Sequence, residues 1–366
     1  MIKKIEVKNF KCFEKISIDC RELNLFTGVN GMGKSTLIQV LLLFRQTYER
    51  NGLGLERAMA LNGRYIRLGK IRDISYWYRK EEDVCLTVEE DESGVWACHY
   101  SEKEQALLME CRAVAHGEGL AGSGFEYISA ERLGPRRYYD DLGEERYSPT
   151  QIGSKGEYAV SCLYSIGSES DFKVYDNMKN SNESSERLEL QVNAWMSEIS
   201  PGIRVKAVPN LDSDVMSLRY SQPSIMGEES TNAVNMGFGV SYVLPVIIAL
   251  LKARKGDLLI LENPEAHIHP KGQRQIGELI ARAAANGIQI ILETHSDHIL
   301  NGIRLSVKYG QIQPEQVRLN YFYIYEDNTG MVKHDMTSPE ILSDGSLSSW
   351  PDGFFDEWDK AIDSLF

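Results

Sequence analysis

Apolar and charged residues alternate from the first position, MIKKIEVKNF, and this period of two predicts a strand over KIEVKNF (4–10). A second strand is predicted over LNLFTG (23–28), with only a short connection between the two. Residues 34–50 then read as a helix whose buried part is LIQVLLLF. From about 60 to 130, short alternating runs (ISYWYRK, DVCLTVEE, GVWACHYS) between charged turns predict antiparallel strands. Residues 140–190, rich in Gly, Ser, Glu and Asn, predict mobile loops around short helices. ERLELQVNAWMSEI (186–199) has apolar residues at helical spacing and is stopped by Pro201-Gly202. From 230 the pattern becomes buried α/β, with helices at 240–254, 271–286 and 297–306 and strands at 257–261 and 288–292. The closing stretch SDGSLSSWPDGFFDEWDKAIDSLF (343–366) carries too much Trp and Phe to float free, and is expected to dock on the body or on a partner.

Composition narrows the classes. At 366 residues the chain can bury a large core as one big domain or two modest ones, and its 42% apolar and 25% charged residues are those of a soluble globular protein. The net charge of −13 argues against a surface coated for nucleic acid. Basic-aromatic segments at 64–80 and 132–137 could line a local groove in a dimer, or be solvated loops and strand faces. The six cysteines, at 12, 20, 85, 98, 111 and 162, form no C-x-x-C pair, which predicts reduced thiols in a cytoplasmic protein. The N-terminus lacks the apolar core of a signal peptide. VSYVLPVIIALL (240–251) is too short for a bilayer and contains Pro245, so it predicts a buried helix and no membrane association.

GVNGMGKST (28–36) fits the phosphate-binding pattern G-x-x-x-x-G-K-[ST] without a mismatch, with an apolar strand before it and an apolar helix after it. Gly28, Gly31 and Gly33 let the backbone form a nest of N–H groups for phosphate oxygens; Lys34 adds a point charge at the β and γ phosphates; the Ser35 hydroxyl can ligate Mg²⁺. Asn30 and Thr36 complete the expected nucleotide contacts. A Gly-rich turn that matches by accident is the plainer alternative, and the correct flanks argue against it.

DLLILENPE (257–265) predicts a buried parallel strand ending in Glu262, placed to hold Mg²⁺. In nucleotide hydrolases with such a strand, a second carboxylate follows at once to polarise the attacking water. Here the next residue is Asn263, which can orient a water but cannot take its proton. Glu265, beyond Pro264, is the nearest replacement. IQIILETHSDHIL (288–300) ends a further strand at Thr294-His295-Ser296, with His295 placed to reach a γ-phosphate and Ser296 or Asp297 to cap the next helix. His267 and His269 near Glu265 could suggest a metal site, but Ile268 and Pro270 suit a packed loop, and Mg²⁺ prefers oxygen ligands.

Together, VKNFKCFEKISID, FTGVNGMGKST, LILENPEAHIHP and ILETHSDHIL resemble the ABC-type ATPases of the RecF, SMC and OLD (overcoming lysogenization defect) grouping, often labelled AAA-family ATPases in bacterial genomes. WPDGFFDEW resembles a small C-terminal domain of unknown function found on one branch of them. The resemblance rests on residues 1–45 and 230–305. It implies an α/β P-loop NTPase of ABC-ATPase head type, with a mixed sheet, an antiparallel β subdomain and a helical subdomain. The head would span 1–335, with β-rich and helical insertions over 60–230, and a small acidic and aromatic segment would follow over 336–366. It further implies a homodimer with ATP and Mg²⁺ sandwiched between the P-loop of one chain and a signature segment of the other. The candidate signature is NMGFGVSYVLP (235–245): Gly237 and Gly239 permit close approach, Ser241 offers a hydroxyl, and a helix N-terminus faces the γ-phosphate. A glycine hinge before a buried helix explains the same residues.

Departures from the family pattern are specific. Tyr242 stands where a Gln is expected, and no Gln serves the Mg²⁺-sensing loop, since Gln39 and Gln46 fall inside the first helix and YIRLGKIRD (65–73) has none. Phe10, Lys11 and Phe13 are the candidates for adenine. No heptad run for coiled-coil arms and no nuclease-type D-x-D after a strand are found, so the expected molecule is a head acting through a separate effector, a nuclease or toxin in antiphage defence, or in DNA maintenance. Slow ATP hydrolysis is the leading expectation. Asn263 motivates a non-hydrolysing nucleotide-bound scaffold as the second, and ATP-gated DNA binding is the third. No acceptor pocket for a small-molecule kinase is recognisable.

Overall fold

The computed structural model describes all residues except 53–56, 79–82, 92–93, 102, 113–118, 142–150, 170, 211–212, 225–226, 356–361 and 366. Its centre is a six-stranded sheet in the order β16 (Val332–Thr337), β15 (Val317–Glu326), β3 (Leu23–Gly28), β14 (Gln289–Glu293), β13 (Leu258–Glu262), β8 (Phe125–Ile128). Every strand is parallel to its neighbours except β16, which pairs antiparallel at one edge. Parallel sheets need cover on both faces, and the side chains divide accordingly. Leu258 and Ile260 of β13, Ile291 of β14 and Phe26 of β3 enter one core; Leu259, Leu261, Ile290, Leu292, Leu23 and Leu25 enter the other. The four apolar residues of β13 are 0–1% exposed, and at roughly 1.5–3 kcal/mol each their burial contributes on the order of 10 kcal/mol.

One face is covered by α1 (Lys34–Asn51) and a six-stranded antiparallel sheet in the order β2 (Phe13–Asp19), β1 (Ile2–Phe10), β5 (Cys85–Glu90), β6 (Val95–Ser101), β7 (Ala106–Arg112), β4 (Arg57–Ala58). A single turn, α2 (Ile71–Ile74), precedes β5. The other face carries α3 (Ala159–Ser168), α4 (Leu188–Ile199), α5 (Phe238–Lys252), α6 (Pro270–Ala285) and α7 (Asp297–Lys308). A third, antiparallel sheet of β10 (Arg204–Asn210), β11 (Val215–Ser224) and β12 (Gly227–Asn232), with β9 (Tyr139–Asp140) paired to β11, flanks these helices. An ion pair between Lys252 and Glu126, 2.8 Å apart with both side chains almost wholly buried, ties α5 to β8. No helix among the described residues is long and apolar enough to cross a membrane.

The expected helices and strands of residues 230–306 are found within two residues of their expected ends. Four expectations change. Over its described residues ISYWYRK (74–80) forms no strand: Ile74 closes the single turn α2, and Ser75 makes an isolated bridge to Phe10. The short connection between the first two strands is itself a strand, β2, hairpinned to β1. The stretch from 60 to 130 is not wholly antiparallel, because β8 joins the central sheet parallel to β13. Strands β15 and β16 extend the sheet beyond the last expected helix, and β16 runs through the expected boundary at 335/336. The tail docks on the body as far as Phe354. Ile341, Leu347 and Phe354 are buried in the helical-side core, the Tyr321 hydroxyl donates to the Asp352 carbonyl, and the Arg304 guanidinium lies over Trp350. Part of WPDGFFDEW, and part of the loops expected at 140–190, lie outside the described residues.

Candidate functional site

Open parallel sheets bind ligands in the crevice beyond the carboxyl ends of their strands. Here β3, β14 and β13, side by side, deliver the P-loop, Glu293-Thr294-His295 and Glu262-Asn263 to that edge. Gly28 pairs with Phe322 of β15 at φ +132°, and a side chain there would meet the Phe322 carbonyl at 2.4 Å, so only glycine closes the strand. Gly31 and Gly33 also take positive φ, and Gly33 caps α1. Lys34 is buried, and its ammonium donates to the carbonyls of Gly28 and Val29, each at 2.9 Å. Burial lowers its pKa and the Glu293 carboxylate opposes that. Asn30, Gly31 and Ser35 are exposed, whereas Thr36 is buried with its hydroxyl 3.8 Å from Cys12 Sγ.

Three carboxylates stand behind the loop. Glu293 is 7% exposed, and both its oxygens lie at hydrogen-bond distance from Ser35 Oγ, at 3.1 and 3.0 Å. Burial and the neighbouring Glu262 push its carboxyl up to about 7. Glu262, its partner across the parallel register, is raised by burial and turned towards β8, where it accepts from the Ala130 N–H at 3.1 Å and from the Tyr127 hydroxyl. Glu265, raised by burial, accepts the His295 N–H through Oε1 at 2.8 Å, and its Oε2 is buried with no partner among the described residues. The His295 ring is half exposed and hydrogen-bonds the Gly28 backbone; burial and Lys34 lower its pKa. Asn263 takes φ +45°, a left-handed conformation that Asn tolerates better than most residues. Its N–H donates to the Glu293 carbonyl at 2.8 Å, while its Oδ1 is buried and unpartnered among the described residues.

Sequence reading missed two residues. Glu293 is the carboxylate nearest the P-loop hydroxyl, and the signal for it was two neighbouring strands, LLILE and QIILE, both ending in Glu. Arg132, read within a solvated basic segment, is 3% exposed. It donates to the carbonyls of Ser129 (3.1 Å), Glu262 (2.8 Å) and Asn263 (2.6 Å), and its guanidinium lies over the Tyr242 ring of α5 at 5.3 Å. Burial brings its pKa down to about 10.

The candidate signature segment contacts a different set of residues. Gly237 is the N-cap of α5 and open to solvent, Gly239 faces the His267 carbonyl, and the buried Ser241 hydroxyl meets Tyr220 Oη at 3.3 Å. His267 packs edge-on to Tyr242, and His269 caps α6 by accepting from the Lys271 N–H, so both histidines have structural work. Among the described residues no group of three or more His, Cys, Asp or Glu side chains is placed to hold a metal ion; one bound at Ser35 would draw on phosphates and water as well. Phe10 and Phe13 are fully buried and unavailable to a base, but Lys11 lines a hollow of about 460 Å³ beside the P-loop, with Cys12, Gly31, Tyr76, Trp77 and His334.

Comparisons with known proteins fit this geometry. Residues 1–113 match a domain family described as "AAA ATPase domain" and residues 138–301 one described as "AAA domain, putative AbiEii toxin, Type IV TA system". Residues 312–365 match a family described as a protein of unknown function, DUF3696, which takes in β15 and β16 as well as the tail. No curated protein matches the chain. Among solved structures, an Smc head bound to the C-winged helix domain of ScpA is 14% identical, with TM-score 0.54 over 92% of this chain and 97% of that one. An Smc head with an extended coiled coil, bound to the C-terminal domain of ScpA derived from Pyrococcus furiosus, is 12% identical, with TM-score 0.53 over 100% and 99%. The fold is thus a P-loop NTPase of the ABC-ATPase head type, and two of the three matched families are ATPase domains.

Proposed function

We propose that the chain is a Mg²⁺-dependent ATP-binding head that hydrolyses ATP slowly, dimerises through an ATP sandwich and switches a separate effector, a nuclease or toxin, in the cytoplasm of a bacterium defending itself against phage. The observation that carries this reading is the convergence of the P-loop, Glu262, Glu293 and His295 at the ends of three adjacent parallel strands. The nest formed by residues 28–36 binds the phosphates through its N–H groups, and Lys34 moves from the Gly28 and Val29 carbonyls to their oxygens. A Mg²⁺ ion held beside Ser35 would supply charge neutralisation for the phosphates. Ser35, with a carboxylate from the end of β13 or β14, would hold it. The base enters the hollow beside Lys11 and Trp77, and His295 meets the γ-phosphate.

Dimerisation places the open α5 start of one protomer, Gly237 with the exposed Phe238, against the nucleotide of its partner. The Ser241 hydroxyl, bonded to Tyr220 in the single chain, joins that contact when the start of α5 shifts. The reported Smc heads are bound to ScpA, which supports a head that works on a partner.

A second reading, a nucleotide clasp without turnover, is favoured by Asn263 at the water position and by the engagement of Glu265 with the His295 backbone. Two variants separate the readings. Under hydrolysis, Glu265→Gln lowers phosphate release at least tenfold and Asn263→Ala slows it less. If the parent protein binds ATP yet releases no phosphate above background, the clasp stands instead. ATP-dependent dimerisation is read by sedimentation, where a monomer at saturating ATP overturns the sandwich.

A further inference from the structure

We propose that Glu293, at the tip of β14, is the carboxylate that shares the metal ion with Ser35, a role the residue pattern gave to Glu262. The inference rests on the nucleotide reading above and adds an assignment within that site. Two observations carry it. The first is distance. Neighbouring strands stand about 4.8 Å apart, and β14 lies directly beside the P-loop strand, while β13 is one strand further away. Glu293 therefore faces Ser35 without reaching across another strand, and both its oxygens already sit at 3.0 and 3.1 Å from the Ser35 hydroxyl. Adjacent ligands of octahedral Mg²⁺, each at about 2.0–2.1 Å, stand about 2.9 Å from one another. The hydroxyl and carboxylate thus hold a spacing at which one ion can take both as neighbouring ligands with little movement.

The second observation is how Glu262 is engaged. Its carboxylate is already engaged, accepting from the Ala130 N–H and the Tyr127 hydroxyl at the β8 side of the sheet. Releasing it towards Ser35 would take their acceptor from the part-buried Ala130 N–H and the Tyr127 hydroxyl, at a cost of up to about 1–3 kcal/mol each. Glu293 gives up only its bond to Ser35, and both partners of that bond become ligands. Glu262 then acts as a positioning residue that fixes the end of β13 against β8.

The test is calorimetric titration with ATP in Mg²⁺ and in EDTA, for the parent protein and for Lys34→Ala, Glu293→Gln and Glu262→Gln. The metal-dependent gain in affinity is expected to fall about tenfold or more in Glu293→Gln, and by less in Glu262→Gln. In EDTA, Glu293→Gln is expected to bind ATP more tightly than the parent, because a negative charge beside the phosphates is gone. A merely structural role would weaken both titrations together. Paramagnetic resonance of Mn²⁺·ATP is expected to show a broadened, protein-bound signal in the parent and, at the same concentrations, a smaller bound fraction in Glu293→Gln. Should Glu293→Gln fail to fold, Glu293→Asp replaces it; the charge withdrawn by one methylene is expected to lower the metal-dependent gain with the fold intact. An unchanged gain in the Glu293 variant, or a larger loss in Glu262→Gln, overturns the assignment and leaves the nucleotide reading standing. No ATP binding by the folded parent in either condition overturns both.

Discussion

Arg132→Met tests whether one buried guanidinium sets the turn that carries Asn263. The arginine is 3% exposed and donates to three carbonyls, two of which belong to Glu262 and Asn263. Methionine replaces the aliphatic stem and removes the guanidinium, so the loss falls on the hydrogen bonds and on the contact with Tyr242. Bonds from a charged donor contribute about 1.5–3 kcal/mol each, which for three bonds totals about 5–9 kcal/mol. The variant also no longer buries a cation, which offsets several kcal/mol. The net expected loss is about 2–4 kcal/mol, read as a lower urea midpoint at unchanged slope. Arg132→Lys keeps the charge, but one ammonium cannot fork across the Glu262 and Asn263 carbonyls, and it should fall between Met and the parent. Asn263, at φ +45°, would lose one of the two donors to its peptide oxygen and keep the Ala266 N–H. ATP turnover should then drop along with stability. A stability loss under about 1 kcal/mol in Arg132→Met, or a lysine variant equal to the parent, would refute the assignment of the turn to this residue.

Three further outcomes follow from the packing. Gly28→Ala should destabilise the protein by on the order of 3 kcal/mol and abolish ATP binding, because φ is +132° and the added carbon would meet the Phe322 carbonyl at 2.4 Å; an alanine variant with parental melting and binding would show the strand end to be relaxed. Ser296→Ala should cost about 1 kcal/mol, since the side chain caps α7 by accepting from the Ile299 N–H and donates to Gln273 Oε1; a chemical melt within experimental error of the parent would contradict this. An aromatic disulfide reagent should label the exposed Cys85 in the native protein, while Cys20, Cys98 and Cys162 react only on unfolding. Burial pushes all three thiols up, Cys20 and Cys162 to about 12. Native labelling of those three at the rate of Cys85 would contradict the two cores.

Local pattern made the helices and the apolar strands of residues 230–306 legible, because each is long enough to show its period and is punctuated by Gly or Pro. It failed at β2, where the buried positions Phe13, Ile16 and Ile18 break the period of two between 13 and 16. It failed at β8 for a different reason: the parallel partner of FEYI lies in β13, far along the chain, and no periodicity within four residues announces it. The P-loop was legible because its glycines and lysine are contiguous. Glu293 was not, since its importance comes from lying beside β3 and across from Glu262, a matter of register between strands distant in sequence. Arg132 looked like a solvated charge because its acceptors are backbone carbonyls, which carry no residue signature. Ser241 was misleading for another reason, since its hydroxyl is buried against the Tyr220 side chain, distant in sequence.

Phosphate release from Mg²⁺·ATP, measured side by side for the parent protein and Lys34→Ala, tests the central claim most directly. The account expects slow, steady release by the parent and none above background once the Lys34 ammonium is removed. Release that persists unchanged in a folded Lys34→Ala, or a folded parent that neither binds nor cleaves ATP, would contradict it.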